Sequence, residues 1–111
     1  MKVTSFAATA ACALLACVAS ATEIEVGNHY FKPSSITVPA GTKVTFKFVG
    51  GYHDVVEGTN CSPSKRSGMF RSDKLFAGGK YEYTFTEKGT FDYFCTPHCR
   101  NEKMVGSITV N

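Results

Sequence analysis

"SSITVPAGTKVTFKFVGG", Ser34 to Gly51, decides the fold class. Ile36 and Val38 flank Thr37, and Pro39-Ala40-Gly41 then turns the chain. Val44, Phe46 and Phe48 follow at every second position, with Thr45 and Lys47 between them. In a strand, alternate side chains point to opposite faces, so this pattern gives one apolar and one polar face. The device recurs downstream. Tyr81, Tyr83 and Phe85 alternate with charged or hydroxyl residues, Glu87-Lys88-Gly89 turns the chain, and Phe91, Tyr93 and Cys95 resume the period. Ile24 and Val26 mark a strand upstream; Ile108 and Val110 mark another near the end. Aromatic and β-branched residues fill these runs and turn residues separate them. Residues 57–79 do not alternate. They are rich in Gly, Ser, Lys and Arg around Met69, Phe70, Leu75 and Phe76, which predicts a long connection with a short helix or an irregular strand. Short strands with no long helix and no internal repeat predict an all-β chain, a single-domain Greek-key β-sandwich.

Residues 1–21 stand apart from this pattern. Lys2 precedes an apolar stretch from Phe6 to Val18, and Ala19-Ser20-Ala21 follows as a small-x-small site. That is the layout of a secretory leader cut after Ala21, and the apolar run is too short to span a bilayer comfortably. The expectation is a secreted, extracellular domain of 90 residues, Thr22 to Asn111, with no stable membrane insertion. No hydrophobic tail follows Val110 to suggest a lipid-anchor signal. Twelve Lys and Arg less Lys2, against nine Asp and Glu, give a formal charge of +2. That charge is too weak and interspersed to point to nucleic acid or a membrane surface.

Cysteine usage is more informative. Cys12 and Cys17 leave with the leader, and Cys61, Cys95 and Cys99 remain. An odd number outside the cell predicts one disulfide and one thiol with a task, with all three pairings open. "FCTPHCRNEKM", Phe94 to Met104, adds His98 and Met104 to Cys95 around one strand-to-strand loop. His53 follows the Val44–Phe48 strand, and a sandwich can bring that strand's end beside the end of the Tyr93–Cys95 strand. Two imidazoles, a thiolate and a thioether then meet. Soft sulfur favours Cu(I), imidazole suits Cu(II), and His₂Cys with a weak axial methionine is the blue-copper arrangement. His29, in "GNHYF" before a strand, reads as a turn or surface residue, and Met69 as packing.

The chain resembles the cupredoxins, the family of plastocyanin, pseudoazurin and the phytocyanins. "SSITVPAGTKVTFKF", "HDVVE", "YFCTPHC" and "MVGSITV" stand in that family's order and cover nearly all of residues 22–111. The resemblance implies one type 1 copper ion held by His53, Cys95, His98 and axial Met104. Its phytocyanin-like part, a Cys directly after the second histidine, implies a Cys61–Cys99 disulfide. Two departures stand out. Five residues separate His98 from Met104, one more than is usual in that family, so the loop must bulge for Met104 to reach the metal. Asp54 stands where many relatives have asparagine; a backbone bond to the thiolate survives, and the added charge favours the oxidised centre.

The implied function is single-electron transfer by a monomer between redox donor and acceptor proteins that the sequence does not name. The alternative is a copper carrier or store, or an extracellular interaction module. No enzyme is expected, since the four ligands leave no open position and His-x-His pairs are absent. A dinuclear purple copper site needs histidine where Lys103 stands. A zinc site from Cys61, Cys95, His98 and Cys99 is the colourless rival. Asn60-Cys61-Ser62 formally matches a glycosylation acceptor. Lys65, Arg66 and Arg71 read as a solvated basic face able to orient an acidic partner.

Overall fold

The computed structural model describes residues 21–111. The expected leader lies outside the described residues except for Ala21, which opens the first strand. One sheet takes β1 (Ala21–Gly27), β2 (Tyr30–Lys32), β4 (Thr42–Phe48) and β9 (Lys80–Phe85) in the order β2-β1-β4-β9. The other takes β3 (Ser35–Val38), β6 (Val56–Thr59), β7 (Ser62–Pro63), β10 (Gly89–Phe94) and β11 (Val105–Val110) in the order β3-β11-β10-β6-β7. A two-stranded piece pairs β5 (Tyr52–His53) with β8 (Leu75–Phe76). The chain crosses repeatedly between layers, so β1 lies parallel to β4 and β3 parallel to β11. The expected β-sandwich is the observed architecture.

The alternation seen in sequence is the alternation of burial. In β4, Thr42, Val44, Phe46 and Phe48 are buried while Lys43 and Lys47 are exposed. Ile24, Val26 and Phe85 join them from the same sheet; Val38, Tyr93, Ile108 and Val110 face them from the other. Tyr93 packs edge-on against Phe31 at 4.7 Å and Phe46 at 5.4 Å between ring centroids. Each such side chain removed from water contributes on the order of 2 kcal/mol, and edge-to-face rings add to that. Gly41 closes the turn into β4 at φ +96°, a conformation that carries no penalty only without a side chain.

Residues 57–79 adopt the irregular-strand alternative. Beyond β6, β7 and β8, the Phe70–Ser72 stretch runs along β6: Glu57 N–H donates to Phe70 O and Ser72 N–H to Val55 O. The only helix among the described residues is α1 (Cys99–Glu102), four residues long. It lies in the connection between β10 and β11. The same end of the sandwich receives the Asn28-His29 turn between β1 and β2 and the β5 strand that carries His53.

Candidate metal centre

Three of the sequence-predicted residues converge. Cys95 Sγ lies 3.6 Å from His53 Nδ1 and 3.5 Å from His98 Nδ1, and the two nitrogens are 3.1 Å apart. A triangle with those sides has a circumradius of about 2.0 Å. That matches a metal–nitrogen bond of ~2.0–2.1 Å and falls a little short of a metal–thiolate bond of ~2.3 Å. One ion therefore fits among these donors with sub-ångström adjustment. His53 and Cys95 are fully buried, and His98 is half-buried. Soft sulfur with two imidazoles is the donor set of a copper site.

The surroundings fix protonation and orientation. His53 Nε2 lies 2.9 Å from Asn28 Oδ1; the amide oxygen accepts, so Nε2 carries the proton and Nδ1 presents its lone pair on the Cys95 side, free to ligate a metal. Burial first, and the neighbouring His98 second, pull the His53 imidazolium below its ordinary range. Gly51, at φ +75°, makes room for this bond, since a Cβ there would collide with Asn28 Oδ1 and the His53 ring. Burial pushes the Cys95 thiol up to about 11, while the backbone N–H groups of Asp54 and His98 favour the thiolate.

Asp54 is buried and acts as a clamp. Its carboxylate accepts from Thr96 N–H at 2.6 Å and Thr96 Oγ1–H at 2.7 Å, and Lys74 Nζ stands 3.9 Å away. The two loops that carry His53 and Cys95 are thereby tied together. The Lys74 ammonium offsets part of the charge that aspartate adds.

The longer ligand loop is accommodated by coiling. Residues 99–102 form α1, whose Glu102 N–H donates to His98 O, and Lys103 ends it at φ 53° with its N–H on Cys99 O. The chain is thus returned to β11, and Cys95 N–H donates to Met104 O at 3.1 Å, closing the loop at its base. Met104 is 1% exposed and belongs to the same core cluster as Cys95. The fifth spacer residue is absorbed in the helical turn, and Met104 stays inside.

Cys61 and Cys99 are joined by a disulfide with a Cα–Cα distance of 5.7 Å, leaving Cys95 as the free thiol. The rival zinc set is therefore not assembled, because two of its sulfurs are bonded to each other. Asn60 and Cys61 both have positive φ in the two-residue β6–β7 turn, and Asn60 is exposed there. Arg66 departs from the sequence reading. It grips Glu57 through two nitrogens at 2.6 and 2.8 Å, reaches Glu87 at 3.0 Å and lies over the Phe91 ring. It is a half-buried strut, and only Lys65 and Arg71 of the basic trio are exposed.

Asn28, Thr96 and Lys74 escaped sequence reasoning, since nothing in their residue type or spacing separates them from ordinary loop residues. His29 is outside the buried triad, as read. It nevertheless lies at the site's rim, its ring centroid 4.4 Å from that of His98.

Comparison with known proteins agrees with this chemistry. The family model described as copper binding proteins, plastocyanin/azurin family, matches residues 18–111. Plastocyanin from Sambucus nigra is 41% identical over 93 residues, covering 78% of this chain and 93% of that protein. Chloroplastic plastocyanin from Silene latifolia subsp. alba is 39% identical over 115 residues, covering 95% of this chain and 69% of that protein. The solved structure of oxidised plastocyanin from Dryopteris crassirhizoma matches with a TM-score of 0.65 at 29% identity, covering 80% of this chain and 99% of its own.

Proposed function

We propose, from the premise that this chain belongs to the plastocyanin/azurin family of copper binding proteins, that it carries single electrons between soluble or membrane-attached redox proteins in a secreted or lumenal compartment. The observation that carries this reading is the buried His53–Cys95–His98 triangle, sized for one ion and assembled from soft and borderline donors. Copper, when bound, supplies a Cu(I)/Cu(II) couple. His53, Cys95 and His98 would hold it, with the Met104 thioether as the fourth protein donor.

The chain's own residues make that couple cheap to cycle. Asn28 and the Asp54–Thr96 clamp hold His53 and Cys95 in one geometry for both oxidation states, so little reorganises on transfer. Buried β-sandwich walls exclude water from the sulfur. His98 is the ligand that reaches toward solvent beside exposed Pro97, which makes its ring the route for electrons. Exposed Phe76, stacked on Tyr52 at 4.6 Å next to His53, gives this end an apolar face suited to brief docking. The disulfide supports an oxidising compartment. So does the resemblance to chloroplastic plastocyanin together with the leader pattern of residues 1–21.

Repeated voltammetry of the copper-loaded chain tests the role. The expected result is reversible one-electron cycling with copper retained, and a higher midpoint potential in Met104→Leu, which removes the axial thioether but keeps the colour. Copper lost on each reduction would favour the carrier reading. An unchanged midpoint in Met104→Leu would remove Met104 from the ligand set.

A further inference from the structure

We propose that His29 and Glu102, together with the outer nitrogen of His98, form a surface port through which copper is captured before it reaches the buried site. The proposal rests on the copper reading of that site and adds a function to residues outside it.

The inner donors are sealed. His53 and Cys95 are 0% exposed and Met104 is 1% exposed. Of the four, His98 alone is half-buried, so an ion coming from solvent meets its ring first. That ring faces two ways. Nδ1 points inward, 3.5 Å from Cys95 Sγ and 3.1 Å from His53 Nδ1. Nε2 is the nitrogen left for an outer partner. His29, His98 and Glu102 offer ligand atoms that all lie within 4.8 Å of one another, and His29 and Glu102 are both exposed.

Two imidazoles and a carboxylate suit Cu(II) and Zn(II). His29 and Glu102 are exposed, so the outer set is held less rigidly than the buried inner triangle. It lacks a thiolate as well. A weaker outer site beside a stronger inner one is the ordering that inward transfer requires. In that transfer the bonds to His29, Glu102 and His98 Nε2 break, and bonds to His53 Nδ1, Cys95 Sγ and His98 Nδ1 form. The Cys95 thiol proton goes to solvent, and the copper keeps its oxidation state.

Plain electrostatic attraction does not account for the cluster. Arg100 and Lys103 are exposed on the same short turn as Glu102 and outnumber its charge. Capture here is by coordination, and it should survive salt that screens long-range fields within about 3 Å at 1 M.

The test is the rate at which colour grows when the copper-free, disulfide-intact chain is mixed with Cu²⁺ in a stopped-flow instrument at 0.1 M and 1 M salt. His29→Ala and Glu102→Gln should each slow uptake at least tenfold at both salt concentrations, with the final spectrum and midpoint potential unchanged. Glu102→Gln removes one donor atom and leaves the His29–His98 ring contact in place, so it reports on capture even if His29→Ala disturbs packing. Uptake within twofold of the unsubstituted rate in Glu102→Gln would overturn the port. So would slowing that disappears at 1 M salt, or an altered final spectrum in both variants. Failure of the unsubstituted chain to colour at all would overturn the copper reading instead.

Discussion

Cys95 sits where two tendencies oppose each other. Burial raises the thiol to about 11, while N–H groups from Asp54 and His98 prepare the sulfur for negative charge. At neutral pH the metal-free thiol keeps its proton, and a metal must expel it. His53 does not compete for protons there, because burial and His98 hold its pKa below the ordinary range. The sign follows: each copper bound at pH 7 should release one proton from Cys95, and affinity should rise about tenfold per pH unit until the thiol's own pKa is approached. Chelator competition at pH 6, 7 and 8 checks this, and a flat profile would mean the thiol is already ionised. Asn28 supports the opposite side of the site through the His53 Nε2 proton. Asn28→Ala should weaken copper binding about 10–100-fold, the usual cost of losing a bond that orients a ligand. The same competition assay measures it.

At the scale of elements, the ligand loop is held from both ends. Its base is closed by Cys95 N–H on Met104 O, and its middle is tied to the β6–β7 turn through Cys61–Cys99. The bridge spans a sequence separation of 38, so its removal frees substantial chain entropy in the unfolded state. Cys61→Ser/Cys99→Ser should lower the stability of the copper-free chain by about 2–4 kcal/mol in denaturant unfolding, with colour still obtained on copper loading. Loss of colour would show that the tether shapes the site as well as stabilising the fold. The strands were legible because β4, β9, β10 and β11 each show one face to the core, and a period of two records that. The α1 turn was not, because "CRNE" has no apolar period and is helical only because the spacer must coil to return Met104 to β11. Arg66 was misread for a related reason: its partners Glu57 and Glu87 lie 9 and 21 residues away, joined only by the sandwich.

Across the whole molecule, two sheets bring three distant segments to one end: the Asn28-His29 turn, His53 on β5, and the β10–β11 loop that carries Cys95, His98 and α1. The buried donors could be named from sequence because thiolate, imidazole and thioether are scarce residue types with strong metal preferences. The residues that orient them could not, since an asparagine or threonine becomes a clamp only through packing. The central claim is that this end of the sandwich holds one copper that changes by one electron. A reductive titration of the copper-loaded full chain, followed in the visible, tests it most directly. The account predicts one copper per chain and an intense red-absorbing band that one electron equivalent bleaches and an oxidant restores. Weak absorption without that band, or a bleach that needs two equivalents, would contradict it.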